Sequence, residues 1–197
     1  HAIHNFCVVD MSNFYLDVLK DRLYVEKADS RSRRAAQTAM YRILDALTRM
    51  LAPILAFTSE EIWSFMPHSH EEDGRSVLFN EIPKGNDSVK DKTFMERWEK
   101  LHAIRNDVQK ALETARTAKL IGGSLDAKVL LYCKGDLLSF AESVQEILPA
   151  ILIVSKVEIL KDGTGEYIGE VDGLSVTVAH ADGEKCARCW VYSETVG

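Results

Sequence analysis

The chain has 197 residues, of which 46% are hydrophobic and 27% charged, with a formal net charge of −6. This is the balance of a soluble globular protein long enough for one large domain or two small ones with a core. The acidic total excludes a protein that coats nucleic acid indiscriminately, and no apolar run approaches the ~20 residues needed to cross a bilayer.

The predicted elements begin with a helix over residues 5–24. Cys7, Val8, Met11, Tyr15, Val18 and Leu19 recur every three or four positions, with Asp10, Asp17 and Asp21 on the other side. A second helix is expected from Asp29 or Ser30, both good N-caps, to about Leu51, where Pro53 interrupts. A third should begin at the capping-box pattern Thr58-Ser59-Glu60-Glu61 and end before Pro67. Residues 67–92, with Pro67, Gly74, Pro83 and Gly85, read as a loop holding a short extended piece at 77–79. A long helix follows over about 94–120, its apolar stripe made by Trp98, Leu101, Val108, Leu112 and Ala115, with Gly122-Gly123 as its stop. Its charged residues, Arg105 and Asp107 among them, read as a solvated polar side.

After residue 123 the pattern changes. Residues 128–133 read as a strand and 136–147 as a helix. Residues 152–160 and 174–179 are rich in β-branched residues and read as strands, with Gly163, Gly165 and Gly173 at turns. The expected fold is mainly α: a helical bundle over 1–123, a small α+β module over 124–180, and a truncated Cys-x-x-Cys knuckle over 181–197.

The second helix carries the most informative charge pattern. From Arg22 to Arg49 there are seven Lys/Arg against three Asp/Glu, a local balance of +4. On a helical wheel Ala36, Met40, Ile43, Leu44, Leu47, Met50 and Leu51 gather on one side. Arg34, Thr38, Arg42, Asp45 and Arg49 gather opposite, and Arg31 and Arg33 lie at the helix start. A file of guanidiniums suits paired contacts to phosphate oxygens. The same spacing also fits a solvated surface in which Asp45 pairs with Arg42 or Arg49.

Cys186-Ala187-Arg188-Cys189 is the sharpest chemical motif. A C-x-x-C turn brings two sulfurs toward one metal and makes half of a tetrahedral zinc knuckle. A second Cys pair does not follow. His180 lies six residues before Cys186, while Cys7 and Cys133 sit in apolar surroundings. A redox role would need a helix opening at the motif, and no helical pattern follows. Trp190, with Arg188 and Tyr192 close by, suits stacking on an unpaired base, or equally packing over the knuckle as its core. No catalytic constellation can be defended. With no disulfide framework and no basic, apolar leader, a reducing cytoplasm fits. The lack of an initial Met inside a helical pattern suggests a piece of a longer chain.

Five stretches resemble bacterial-type isoleucyl-tRNA synthetases. They are Asp10-Met11-Ser12-Asn13-Phe14-Tyr15-Leu16-Asp17 with Lys20-Asp21-Arg22-Leu23-Tyr24, then Arg33-Arg34-Ala35-Ala36-Gln37-Thr38-Ala39. Next come Leu51-Ala52-Pro53-Ile54-Leu55-Ala56-Phe57-Thr58-Ser59-Glu60-Glu61-Ile62-Trp63 and the run from Ala111-Leu112-Glu113 through Lys119-Leu120-Ile121-Gly122-Gly123 to Ala127. Last is Ala181 through Lys185-Cys186-Ala187-Arg188-Cys189-Trp190. The resemblance implies an anticodon-binding helical bundle, a junction module and a zinc knuckle. Cys186 and Cys189 would be two of four zinc ligands, and ATP would be used by the parent enzyme outside these residues. His-x-Gly-His and Lys-Met-Ser-Lys-Ser are both absent from the sequence.

The expected partners are tRNA(Ile) and the remainder of the synthetase, with the chain a monomer and no membrane involved. Arg31, Arg33, Arg34, Arg42, Arg49, Arg188 and Trp190 are the expected RNA contacts on physical grounds. The alternatives are a valyl- or leucyl-type synthetase, which shares the Ala-Pro segment, a helical protein-interaction module, and a thiol oxidoreductase.

Overall fold

The computed structural model describes residues 1–85 and 91–196. The chain divides into two compact units, His1–Asp21 with Asp91–Gly197, and Arg22–Lys90. Helices dominate, and the strands form one small mixed sheet and a two-stranded hairpin.

In the first unit the N-terminal segment is helical but not a uniform α-helix. Short α1 (Ala2–Asn5) and α2 (Leu16–Val18) flank a π-helical stretch, Phe6–Tyr15, and α3 (Lys20–Tyr24) follows a break at Leu19. The Leu16 amide accordingly bonds the carbonyl of Met11, five residues back. The wider turn changes which residues pack. Val8, expected in the apolar stripe, is exposed, whereas Phe14 packs edge-on against Trp98 and His102 of the long helix.

That long helix, α6 (Lys92–Thr117), is capped by the Asp91 carboxylate, which accepts from the Thr93 amide at 3.1 Å. It ends before Gly122, because Lys119 adopts the left-handed conformation (φ 59°) and the Leu120 amide returns to the Ala115 carbonyl. Its buried face is wider than the apolar stripe alone and includes Ile104, Arg105, Asp107 and Ala111.

Arg105 and Asp107 therefore do not lie on a solvated side. Arg105 donates to the carbonyls of Ile151 (3.1 Å) and Asn13 (3.4 Å) and lies over the Phe14 ring. Asp107 accepts from the amides of Glu170 (3.1 Å) and Val171 (2.8 Å). The chain comes so close there that a Cβ on Gly169 would overlap the carboxyl group.

The sheet has the order β2 (Lys156–Leu160), β1 (Ala127–Cys133), β4 (Leu174–His180), β3 (Tyr167–Ile168). β1 pairs parallel with β2 and antiparallel with β4. A parallel pair needs a crossover, supplied here by α7 (Asp136–Ser143) and α8 (Leu148–Leu152). The predicted helix over 136–147 is thus shorter, and the predicted strand over 152–160 starts only at Lys156. Pro149 suits the first turn of α8, and Ile153 leaves it in the left-handed conformation. Alternate residues of β1 (Ala127, Val129, Leu131, Cys133) are buried against Val108, Leu112, Leu148 and Val176 to form the main core.

In the second unit, α4 (Arg31–Leu51) begins at Ser30, whose hydroxyl accepts from the Arg33 amide at 3.1 Å. α5 (Ala56–Phe65) begins two residues before Thr58, and the expected capping box does not form. The Leu51 carbonyl accepts from the amides of Ile54 and Leu55, so the chain turns immediately into α5 and buries Ser59 in its first turn. Glu60 instead accepts from the Ser76 hydroxyl and the Val77 amide. Residues 77–79 form a 3₁₀ turn rather than an extended piece, because Ser76 caps it and Val77 inserts into a small core with Ala52, Trp63 and Met66. Of the expected loop over 67–92, residues 86–90 lie outside the described residues.

Candidate nucleic-acid interface

The arginine file on α4 divides into two kinds. Arg31, Arg34 and Arg42 are exposed, and no protein acceptor engages their guanidiniums among the described residues. Arg34 and Arg42 stand about 12 Å apart along the helix axis. Between them Thr38 faces its hydroxyl inward to the Arg34 carbonyl (2.9 Å) and leaves the surface to the cations.

Arg33 and Arg49 are held by protein. Arg33 donates to the Glu26 carbonyl at 3.1 Å from a half-buried position. Arg49, only 13% exposed at its side chain, donates to Asp45 Oδ1 (2.7 Å), to Glu72 and to the Glu81 carbonyl (3.4 Å), and its Cζ lies 5.1 Å from the Trp63 ring centre. Glu72 also accepts from the Ser69 amide at 2.6 Å, and that bond, with the Arg49 charge, keeps its carboxyl below the usual range. Burial, with the charge of Glu72 beside it, pushes up the Tyr41 phenol, whose hydroxyl donates to the Pro67 carbonyl.

Spacing alone could not separate the two kinds, since Arg42 and Arg49 are seven residues apart on the same side of α4. What distinguishes them is the 67–81 segment, which returns over the C-terminal half of the helix. Arg49→Gln is expected to lower stability by about 2 kcal/mol, because it strands two partly buried carboxylates. Urea unfolding checks this, and an unchanged midpoint would show that the network contributes nothing.

In the first unit, the knuckle is a turn between two-residue strands, β5 (Glu184–Lys185) and β6 (Tyr192–Ser193). The Cys186 amide donates to the Val191 carbonyl and the Trp190 amide to the Cys186 carbonyl, each at 2.9 Å. Backbone N–H groups of Cys189 and Arg188 point at the Cys186 sulfur and lower its pKa, whereas burial raises that of Cys189. These sulfurs fit one half of a metal site. A third ligand is not assembled among the described residues. His180 places Nδ1 2.8 Å from the Ala181 carbonyl and its ring edge-on to Tyr192. Cys133 is buried in the sheet, its thiol pushed up to about 11 by burial. Cys7 lies half-buried in the N-terminal segment.

Trp190 takes a left-handed backbone conformation (φ 66°) and is 63% exposed as a residue, and Arg188 beside it is exposed as well. Such a conformation is unfavourable for a bulky residue and is sustained here by the turn's own bonds.

A family model described as the anticodon-binding domain of tRNA ligase matches residues 1–131. The chain is 52% identical over 199 residues to an isoleucine–tRNA ligase of Syntrophotalea carbinolica. It is 49% identical over 202 residues to one of Caldanaerobacter subterraneus subsp. tengcongensis and 44% over 199 residues to one of Geobacter sulfurreducens. Each alignment takes in 100% of this chain but only 21–22% of the relative, so the chain spans about a fifth of the length of the relatives it matches. On the match over residues 1–131, the chain belongs to the family of anticodon-binding domains of tRNA ligases.

Proposed function

We propose that this chain is the tRNA-binding part of an isoleucine–tRNA ligase, which holds the anticodon arm of tRNA(Ile) while a catalytic domain elsewhere in the enzyme joins isoleucine to the acceptor end. The observation that carries this reading is the set of exposed, unengaged guanidiniums of Arg31, Arg34 and Arg42 on a family anticodon-binding fold. Similarity along the whole of this chain to about a fifth of the length of isoleucine–tRNA ligases supports the choice of amino acid.

Residues 1–123 are the helical part that grips the arm, 124–180 a junction, and 181–197 the knuckle. Arg31, Arg34 and Arg42 contact phosphates, which position the RNA without reading its sequence. Arg33 and Arg49 support the helix that presents them. Trp190 stacks on an unpaired base, with Arg188 on a neighbouring phosphate. Cys186 and Cys189 would supply two thiolates to a zinc ion whose remaining ligands lie outside the described residues, and the metal would stiffen the turn.

ATP is consumed at the catalytic domain elsewhere in the enzyme. Binding energy gathered on the anticodon arm orients the distant acceptor end there. Among the described residues no helix is long and apolar enough to cross a membrane. We further propose that the protein works in the cytoplasm as a monomer.

Titrating labelled tRNA(Ile) with this chain at two salt concentrations tests the reading. Affinity should fall as salt rises, and unlabelled tRNA(Ile) should compete better than a tRNA with another anticodon. Binding indifferent to salt and to the anticodon would overturn it and favour a helical module for an acidic protein partner.

A further inference from the structure

Two of the stretches that resemble the synthetases, the glycine-containing run at 111–127 and the knuckle at 181–190, lie more than fifty residues apart in sequence, and the structure joins them. The knuckle hairpin has two residues in each strand, too little to hold itself together in water. Both of its strands are tied to the Ser124–Asp126 turn that leads into β1.

On the incoming side the Ala181 amide donates to the Asp126 carbonyl at 2.8 Å, and Lys185 Nζ lies 3.4 Å from Asp126 Oδ1. On the outgoing side the Tyr192 amide donates to Ser155 Oγ at 2.8 Å, and the same hydroxyl donates to the Leu125 carbonyl. Both anchors are themselves fixed. Asp126 Oδ2 accepts from the amides of Gly122 (3.1 Å) and Gly123 (2.7 Å), and the Ser155 amide bonds the carbonyl of fully buried Ala127. The Gly123 amide and the Lys185 charge hold the Asp126 carboxyl below its ordinary range, so it is an anion at neutral pH.

We infer that Asp126 and Ser155 are positioning residues for RNA binding: they fasten the two strands of the knuckle to the sheet and so hold the Trp190 ring outward in its left-handed turn. The inference rests on the reading of Trp190 as a base-stacking residue. Without the tethers the turn is free to relax Trp190 out of an unfavourable backbone conformation, and the base would have to pay for ordering it again.

Binding of an RNA hairpin carrying the isoleucine anticodon loop is measured together with amide exchange, residue by residue, in Asp126→Asn, Ser155→Ala, Ser155→Thr and Trp190→Ala. Asp126→Asn and Ser155→Ala should each bind about fivefold more weakly, as expected for one lost hydrogen bond. The Trp190 and Tyr192 amides should exchange faster in both while those of β1 stay protected. Ser155→Thr keeps the hydroxyl and should restore both affinity and protection. Faster exchange at the knuckle with unchanged RNA affinity overturns the inference and leaves the tethers purely structural. Loss of β1 protection also overturns it, since the residues then serve the whole unit. If Trp190→Ala binds like the parent, the stacking reading fails and this inference with it. If Trp190→Ala weakens binding but the tether variants do not, only this inference fails.

Discussion

Replacing Arg31, Arg34 and Arg42 together by Gln will flatten the salt dependence of tRNA binding. Each phosphate neutralised on a duplex contributes about −0.9 to the slope of log affinity against log salt, so three lost contacts reduce it by about 2.7. Between about 50 and 200 mM salt the parent should then lose about 40-fold more affinity than the triple variant. The weakening should be similar for cognate and non-cognate tRNA, because phosphate contacts carry no base readout. Gln and Arg have similar helix propensities and all three positions are exposed, so α4 should fold as before. Circular dichroism would confirm that. Arg49→Gln is the internal control: its guanidinium is already committed to Asp45 and Glu72, so it should change stability and leave the slope alone. Equal slopes for parent and triple variant would reduce the exposed file to a solvated surface.

Each feature of the molecule is legible in the sequence to the extent that it is local. Ser30 as the cap of α4, the strand over 128–133, and the extent of α6 to within a few residues follow from short-range rules, and each is found close to where those rules put it. The misreadings have a common cause in tertiary partners. The Thr58 capping box was an intact local pattern, but the Leu51 carbonyl captured the amides of Ile54 and Leu55 and started α5 earlier. Residues 148–152 are apolar enough for a buried strand or a buried helix, and the crossover between parallel β1 and β2 decided for helix.

The candidate site shows the same division. Arg31, Arg34 and Arg42 are legible as an exposed file from their spacing on α4. The withdrawal of Arg49 from that file required Glu72 and Trp63 to arrive from a segment fourteen or more residues on. The π-helical stretch at Phe6–Tyr15 has no pattern in single-sequence periodicity that would announce it, because wider turns move the stripe without removing it.

Arg105 presents the largest stability effect. A cation with only 7% of its surface exposed is normally costly to bury, and here no carboxylate among the described residues forms a close ion pair with it. Its stabilisation comes from the carbonyls of Ile151 and Asn13 and from the face of Phe14, with Asp17 contributing a more distant opposite charge. The carbonyls belong to α8 and to the π-helical stretch, so one side chain of α6 joins three helical segments whose contact points, Asn13, Arg105 and Ile151, lie 92 and 46 residues apart in sequence. Burial lowers the Arg105 pKa, yet a guanidinium starts so high that it stays charged at any working pH.

Arg105→Ala removes the two donors, the ring contact and most of a long apolar stem, and should lower stability by about 3–5 kcal/mol. Arg105→Met keeps much of the stem but leaves both carbonyls without their donor, and should cost about 2 kcal/mol. Arg105→Lys retains the charge but not the fork that reaches both carbonyls, and should fall between Met and the parent. Urea unfolding of the four proteins, followed by circular dichroism, would rank them Ala below Met below Lys below parent. If Met equals or exceeds the parent, burying the charge costs more than its bonds return, and the three segments are joined by apolar packing alone.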